Sequence, residues 1–189
     1  MQNMTQIDPK TAGGATKEAF DEATAQFGGV INLFRVTGNA PNLLKGLLAL
    51  NSNLNDNPEL SGRQIELVAM LASALNHCDY CVNVHMKVGL AQKASREELI
   101  QALSAQSDDE QTETLLQFTD AVVRKRGQVP AELLAKVRQA GFSDKAILEV
   151  VGVIGLYTTF QYVRHIADPE HDFPMVPEFD ATKHGAAFG

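Results

Sequence analysis

The chain has 189 residues, of which 44% are hydrophobic and 21% charged, with a formal net charge of −7. That is enough chain for one domain with a sizeable core, in the composition range of a soluble globular protein. The acidic balance argues against nucleic acid or an anionic membrane as the main partner, because phosphate binding needs a basic face.

Trp is absent and aromatic residues make up 6%, so Ala, Leu, Val and Ile carry the apolar content and favour helices packed on helices. Residues 1–15 read as a flexible tail, without the apolar run a secretory signal needs. From Thr16 the pattern turns helical, and it closes after Phe27 at Gly28-Gly29, a C-cap signal. "VINLFRV" forms a short second helix before Gly38, and Pro41 suits the first turn of a third, "NLLKGLLALNSNL". Ser61 with Gln64 is a capping box for a central helix, "GRQIELVAMLASALN", running to about Asn76. A further helix begins at or just before Cys78.

Ser95-Arg96-Glu97-Glu98 is another capping box, ahead of "LIQAL". Acidic residues 108–113 lead into "TLLQFTDAVVRKRG", whose Arg124-Lys125-Arg126 complements a helix C-terminus. Pro130 opens "AELLAKVRQAG", and Ser143 precedes the last long helix, "DKAILEVVGVIGLYTTFQYVRHIAD", which stops at Pro169. Its most apolar stretch, Ile147 to Phe160, contains Glu149 and several Gly and Thr breaks, so no segment is expected to reach membrane-helix length. "HDFPMVPEF", with two prolines, should lie extended. No run alternates between turns, so strands are not expected. The reading is an all-α single-domain bundle over residues 16–168, with an extended C-terminal tail over 169–189 and a cytoplasmic location.

The stretch "NHCDYCVNVH", residues 76–85, holds both cysteines of the chain and two of its five histidines. In a cytoplasmic protein a C-x-x-C pair points to redox or metal chemistry more than to a structural disulfide. On a helix turning about 100° per residue, Cys78, Cys81 and His85 fall in one stripe. Cys81 and His85 are an i, i+4 pair, close enough for the imidazole to exchange a proton with the thiol. The helix N-terminus beside Cys78 favours a thiolate, the reactive form.

Between Gln64 and Asn76 the one charged residue is Glu66. With the hairpin turn near Asn76-His77, a rise of about 1.5 Å per residue brings Glu66 and His85 to similar heights on antiparallel neighbours. Glu66 can then orient the imidazole and complete a Glu–His–Cys proton relay. Two other readings stand beside this one. Cys78, Cys81, His85 and Glu66 are acceptable zinc ligands, although three of them crowd one helical stripe. Otherwise the cysteines are two small buried residues in a hairpin. Tyr157, Tyr162 and His165 are read as core packing, His77 as a turn residue that caps or faces solvent, and His171 and His184 carry no signal.

The spacing Glu66-x11-Cys78-x2-Cys81-x3-His85 is similar to the core motif of the alkylhydroperoxidase D-like proteins within the carboxymuconolactone decarboxylase superfamily. Upstream, "GGVINLFRVTGNAPNLLKGLLAL" resembles the family's lead-in, and the likeness covers about residues 20–165. The resemblance implies an alkylhydroperoxidase D-like helical fold that assembles into trimers or hexamers. It also implies a dithiol peroxidase acting on hydroperoxides, with no bound cofactor and an external thiol or dithiol as electron donor. Cys81 would be the peroxidatic thiol, forming a sulfenic acid, and Cys78 would resolve it to a disulfide. His85 and Glu66 match the relay. Where alkylhydroperoxidase D has a histidine before the second cysteine, this chain has Tyr80, a phenol able to donate a hydrogen bond to a thiolate or a peroxide oxygen. Lactone decarboxylation, the superfamily's other activity, needs no C-x-x-C pair. A non-catalytic oligomer using the disulfide as a redox switch is the remaining alternative.

Overall fold

The computed structural model of the chain describes residues 3–185; the outermost parts of both expected tails, 1–2 and 186–189, lie outside the described residues. Its helices are α1 (Gly14–Phe27), α2 (Asn32–Thr37), α3 (Pro41–Leu54), α4 (Gly62–Leu75), α5 (Asp79–Ala91), α6 (Arg96–Ala102), α7 (Glu110–Arg124), α8 (Ala131–Gln139), α9 (Asp144–Ala167) and α10 (Ala181–His184). Among the described residues there is no strand.

The helix starts follow from side chains that the sequence displays. Ser61 and Ser95 both form complete capping boxes, with Gln64 and Glu98 reaching back to the cap backbone. Pro41 occupies the first turn of α3, where its missing N–H costs nothing. Asp109 and Ser143 cap α7 and α9 by accepting backbone N–H bonds. α10 is a departure from a wholly extended tail: the Asp180 side chain accepts from the Thr182 N–H and nucleates one helical turn.

α4 is the centre of the bundle, packed on α5, α6, α7 and α9. Every residue from Ile65 to Leu75 is buried, which is why the segment is nearly free of charge. Three apolar clusters surround it. One joins α4, α7, α8 and α9 through Ile65, Phe118, Val137 and Val150. A second joins α1, α2 and α3 to the start of α5 and the end of α9, and includes Cys78, Tyr80 and Cys81. A third joins α4, α5 and α6 and takes Val176 from the tail. Each fully buried Leu in them contributes about 1.5–3 kcal/mol.

Two features depart from simple expectation. α9 has 24 residues, and its most apolar 18-residue stretch has a mean hydropathy of 1.5, so by length and composition it is long and apolar enough to cross a membrane, whereas no such segment was anticipated. The breaks at Glu149 and the glycines lower its hydropathy too little to change that. In this fold it packs against α2, α3, α4 and α7. Residues 3–12, read as a loose tail, hydrogen-bond to the bundle. The Asn3 N–H donates to the Ala167 carbonyl and the Ile7 N–H to the Arg35 carbonyl, while Arg35 Nε donates back to the Ile7 carbonyl.

Candidate dithiol site

The α4–α5 hairpin sets the site, and its turn takes three residues, Asn76, His77 and Cys78. The His77 N–H donates to the Ala74 carbonyl and the Cys78 N–H to the Ser73 carbonyl. These are the two bonds of a Schellman ending, with His77 at the left-handed position (φ 57°) that glycine usually takes. A non-glycine residue there costs about 1–2 kcal/mol. Neighbours hold the turn in place. Asn76 Nδ2 donates to Gln161 Oε1 at 2.6 Å, and Gln161 Nε2 to Ser73 Oγ at 3.0 Å. His165 contacts the Asn76 carbonyl through Nε2 rather than packing in the core. Gly185 sits against the His77 ring, so closely that a β-carbon there would overlap it.

Cys78 is therefore the N-cap of α5, not its first helical residue, and the Cys81 N–H donates to its sulfur at 3.3 Å. Cys78 and Cys81 form a disulfide with Cα atoms 5.2 Å apart. Cys78 is 0% exposed and Cys81 5%, so what little access there is leads to Cys81. One turn further along α5, His85 Nδ1 lies 2.9 Å from Glu66 Oε2, both residues being buried. The hairpin brings this pair together at the height estimated from helical rise. A carboxylate accepting the Nδ1 proton fixes the neutral imidazole with its lone pair on Nε2.

Tyr80 points elsewhere. Its hydroxyl donates to Asp172 Oδ2 in the C-terminal tail and accepts from the Leu33 N–H at 3.2 Å. Burial first, then the bond to Asp172, pushes its phenol well above the ordinary tyrosine range. The expectation of a phenol serving a thiolate or peroxide oxygen meets a hydroxyl already committed to the tail. The reason is angular: one residue before Cys81, Tyr80 faces away from the Cys81–His85 stripe. Asn83 shares its side of α5. The Val176 N–H donates to Asn83 Oδ1 at 2.8 Å, and Asn83 Nδ2 lies 3.0 Å from His171 Nδ1. Asp79 pairs with Arg164 at 3.0 Å, and Lys87 lies over the Phe173 ring.

Asn83, His171 and Asp172 escaped the sequence reading. They are polar residues about ninety positions apart, and no local spacing links them. Tyr157, set aside as core, lies against the relay: its ring and that of His85 meet edge-on with centroids 4.4 Å apart.

Residues 41–124 match the carboxymuconolactone decarboxylase family. No curated protein matches the chain in sequence. Among solved structures, the chain resembles an uncharacterized peroxidase-related protein from Silicibacter sp. TM1040, with a TM-score of 0.73 and 19% identity over 93% of each chain. It also resembles an alkylhydroperoxidase AhpD core, an uncharacterized peroxidase-related protein from Ralstonia eutropha JMP134, with a TM-score of 0.77 and 16% identity over 94% of each chain. A third is the debrominase Bmp8, solved as a cysteine-to-alanine form with 2,3,4-tribromopyrrole, with a TM-score of 0.75 and 16% identity over 95% of each chain. At these identities the likeness is one of fold.

Proposed function

We propose that this chain, whose residues 41–124 match the carboxymuconolactone decarboxylase family and whose fold resembles that of an alkylhydroperoxidase AhpD core, is a dithiol peroxidase reducing organic hydroperoxides. The observation that carries the reading is a C-x-x-C disulfide one helical turn from a buried Glu66–His85 pair. A dithiol serving only as packing has no use for a buried carboxylate and imidazole, whose desolvation costs several kcal/mol.

In the reduced protein, His85 Nε2 takes the Cys81 proton and Glu66 balances the resulting imidazolium. The Cys81 thiolate attacks the terminal oxygen of the hydroperoxide. An S–O bond forms, the O–O bond breaks, and the departing alkoxide takes the proton back from His85 as an alcohol. The Cys78 thiolate then attacks the sulfenic sulfur of Cys81, and hydroxide leaves to be protonated to water. An external thiol or dithiol supplies the two electrons and two protons that reset the pair. Attack at Cys81 expels Cys78, whose thiolate the α5 N-terminus stabilises as a leaving group.

The test is turnover of an organic hydroperoxide with a dithiol donor, run beside 2,3,4-tribromopyrrole, the ligand of the debrominase structure. Catalytic alcohol formation supports the peroxidase. Bromide release without hydroperoxide turnover overturns it, and a single oxidation without turnover points instead to a redox switch.

A further inference from the structure

Tyr157 lies on α9, beyond residues 41–124 that match the family, and no step of the proposed chemistry uses it. Its ring meets the His85 imidazole at 81°, with centroids 4.4 Å apart, the edge-on arrangement aromatic pairs favour. Its hydroxyl is 3.5 Å from Asn51 Oδ1 on α3, at the limit of a hydrogen bond. The residue keeps some surface exposed, but its phenol end is enclosed. Burial, and then the charge of Glu66, holds that phenol well above the ordinary tyrosine range, so the ring stays neutral.

The imidazole is thus held on two sides by two different helices. Glu66 from α4 holds one nitrogen by a hydrogen bond, a single contact that restrains the tilt of the ring about the Cβ–Cγ bond only within the breadth of hydrogen-bond geometry. Tyr157 from α9 packs its ring against the imidazole. Glu66 and His85 are both buried, and their hydrogen bond strengthens in that low dielectric. We propose that Tyr157 is a positioning residue of the dithiol site, whose aromatic ring sets the plane of His85 so that Nε2 can take the Cys81 proton. This rests on the reading of Glu66, His85 and Cys81 as a relay. Glu66 from α4 and Tyr157 from α9 are the titratable groups in contact with His85 among the described residues, and Cys81, titratable once the disulfide is reduced, lies one turn before it on α5.

The test needs no substrate. Reduced protein is alkylated with iodoacetamide across a pH series in wild type, Tyr157→Phe, Tyr157→Met and Glu66→Gln, with circular dichroism confirming each fold. Tyr157→Met keeps bulk and loses the ring, and Tyr157→Phe loses the hydroxyl alone. Wild type and Tyr157→Phe should coincide, while Tyr157→Met and Glu66→Gln move the Cys81 alkylation midpoint up by about one pH unit or more. A Glu66→Gln shift with Tyr157→Met unshifted overturns the inference and leaves the relay standing. If neither shifts, the relay and the inference fail together. A Tyr157→Phe shift equal to that of Tyr157→Met assigns the effect to the hydroxyl and overturns the ring's role. The wild-type protein gives a check that is independent of variant folding. The His85 ring protons, assigned with His85→Gln, should show a ring-current shift from Tyr157 in NMR, and resonances at ordinary histidine positions contradict the proposal.

Discussion

Cys78 and Cys81 differ in environment although they share one disulfide. Cys78 is enclosed and receives the Cys81 N–H at the start of α5, whereas Cys81 keeps the small remaining access and lies one turn from His85. The proposed mechanism uses this asymmetry, with Cys81 attacking the peroxide and Cys78 resolving the sulfenic acid. Cys81→Ser is expected to abolish peroxide consumption. Cys78→Ser should leave a sulfenic acid on Cys81 that dimedone traps and mass spectrometry detects. Full activity in Cys81→Ser would reverse the assignment. At this scale the sequence was informative: the Cys78, Cys81 and His85 stripe follows from helical spacing, and Glu66 from counting residues back across the turn. Tyr80 was not legible in the same way. Its position between the cysteines marks it as part of the site, but its phenol is drawn to Asp172, a residue 92 positions away.

α5 is held from two directions. Toward α4 it carries the thiols and His85, and on another face Asp79 pairs with Arg164 of α9 while Tyr80, Asn83 and Lys87 meet residues 171–176 of the tail. Tyr80→Phe removes the bond to Asp172 and leaves the Leu33 N–H without its acceptor. The expected cost is about 1–3 kcal/mol, read as a lower denaturation midpoint, with faster hydrogen exchange in residues 171–176. Unchanged exchange there would mean that the tail is held without Tyr80. The two capping boxes, the proline start of α3 and the serine start of α9 were all legible, because each is a local pattern of side chain and backbone. The hairpin turn was not, since His77 takes a left-handed position with no glycine to announce it. The tail's docking was also hidden, because it joins single polar residues across nearly half the chain.

Taken as a whole, the molecule leaves apolar surface uncovered along α9. Leu148 is 68% exposed, Tyr162 57% and Ile166 61%, with Val151 also exposed, and a β-carbon at Gly155 would meet nothing. Only 39% of the most apolar stretch of the helix is buried within one chain. Such a stripe is the kind of surface that partners cover, and we propose that it is buried in the trimer or hexamer that the family resemblance implies. Sedimentation should show a trimer or hexamer that Leu148→Glu with Ile166→Glu dissociates; a monomeric wild type would exclude it. Stability should also fall in alkali. Tyr80 and Tyr157 both have phenol values raised by folding, so the unfolded chain loses those protons first. Their contribution is complete below about pH 10, the ordinary phenol value, and declines above it by about 1.4 kcal/mol per pH unit for each phenol. Denaturant midpoints measured across that range check the slope, and a midpoint constant through it would contradict the burial of both hydroxyls. The central claim is tested most directly by one turnover. Fully reduced protein is mixed with one equivalent of an organic hydroperoxide, and its intact mass and the alcohol are measured together. The account predicts loss of two hydrogens per chain, confined to the Cys78–Cys81 peptide, with one equivalent of alcohol. An unchanged mass with the hydroperoxide intact would contradict it.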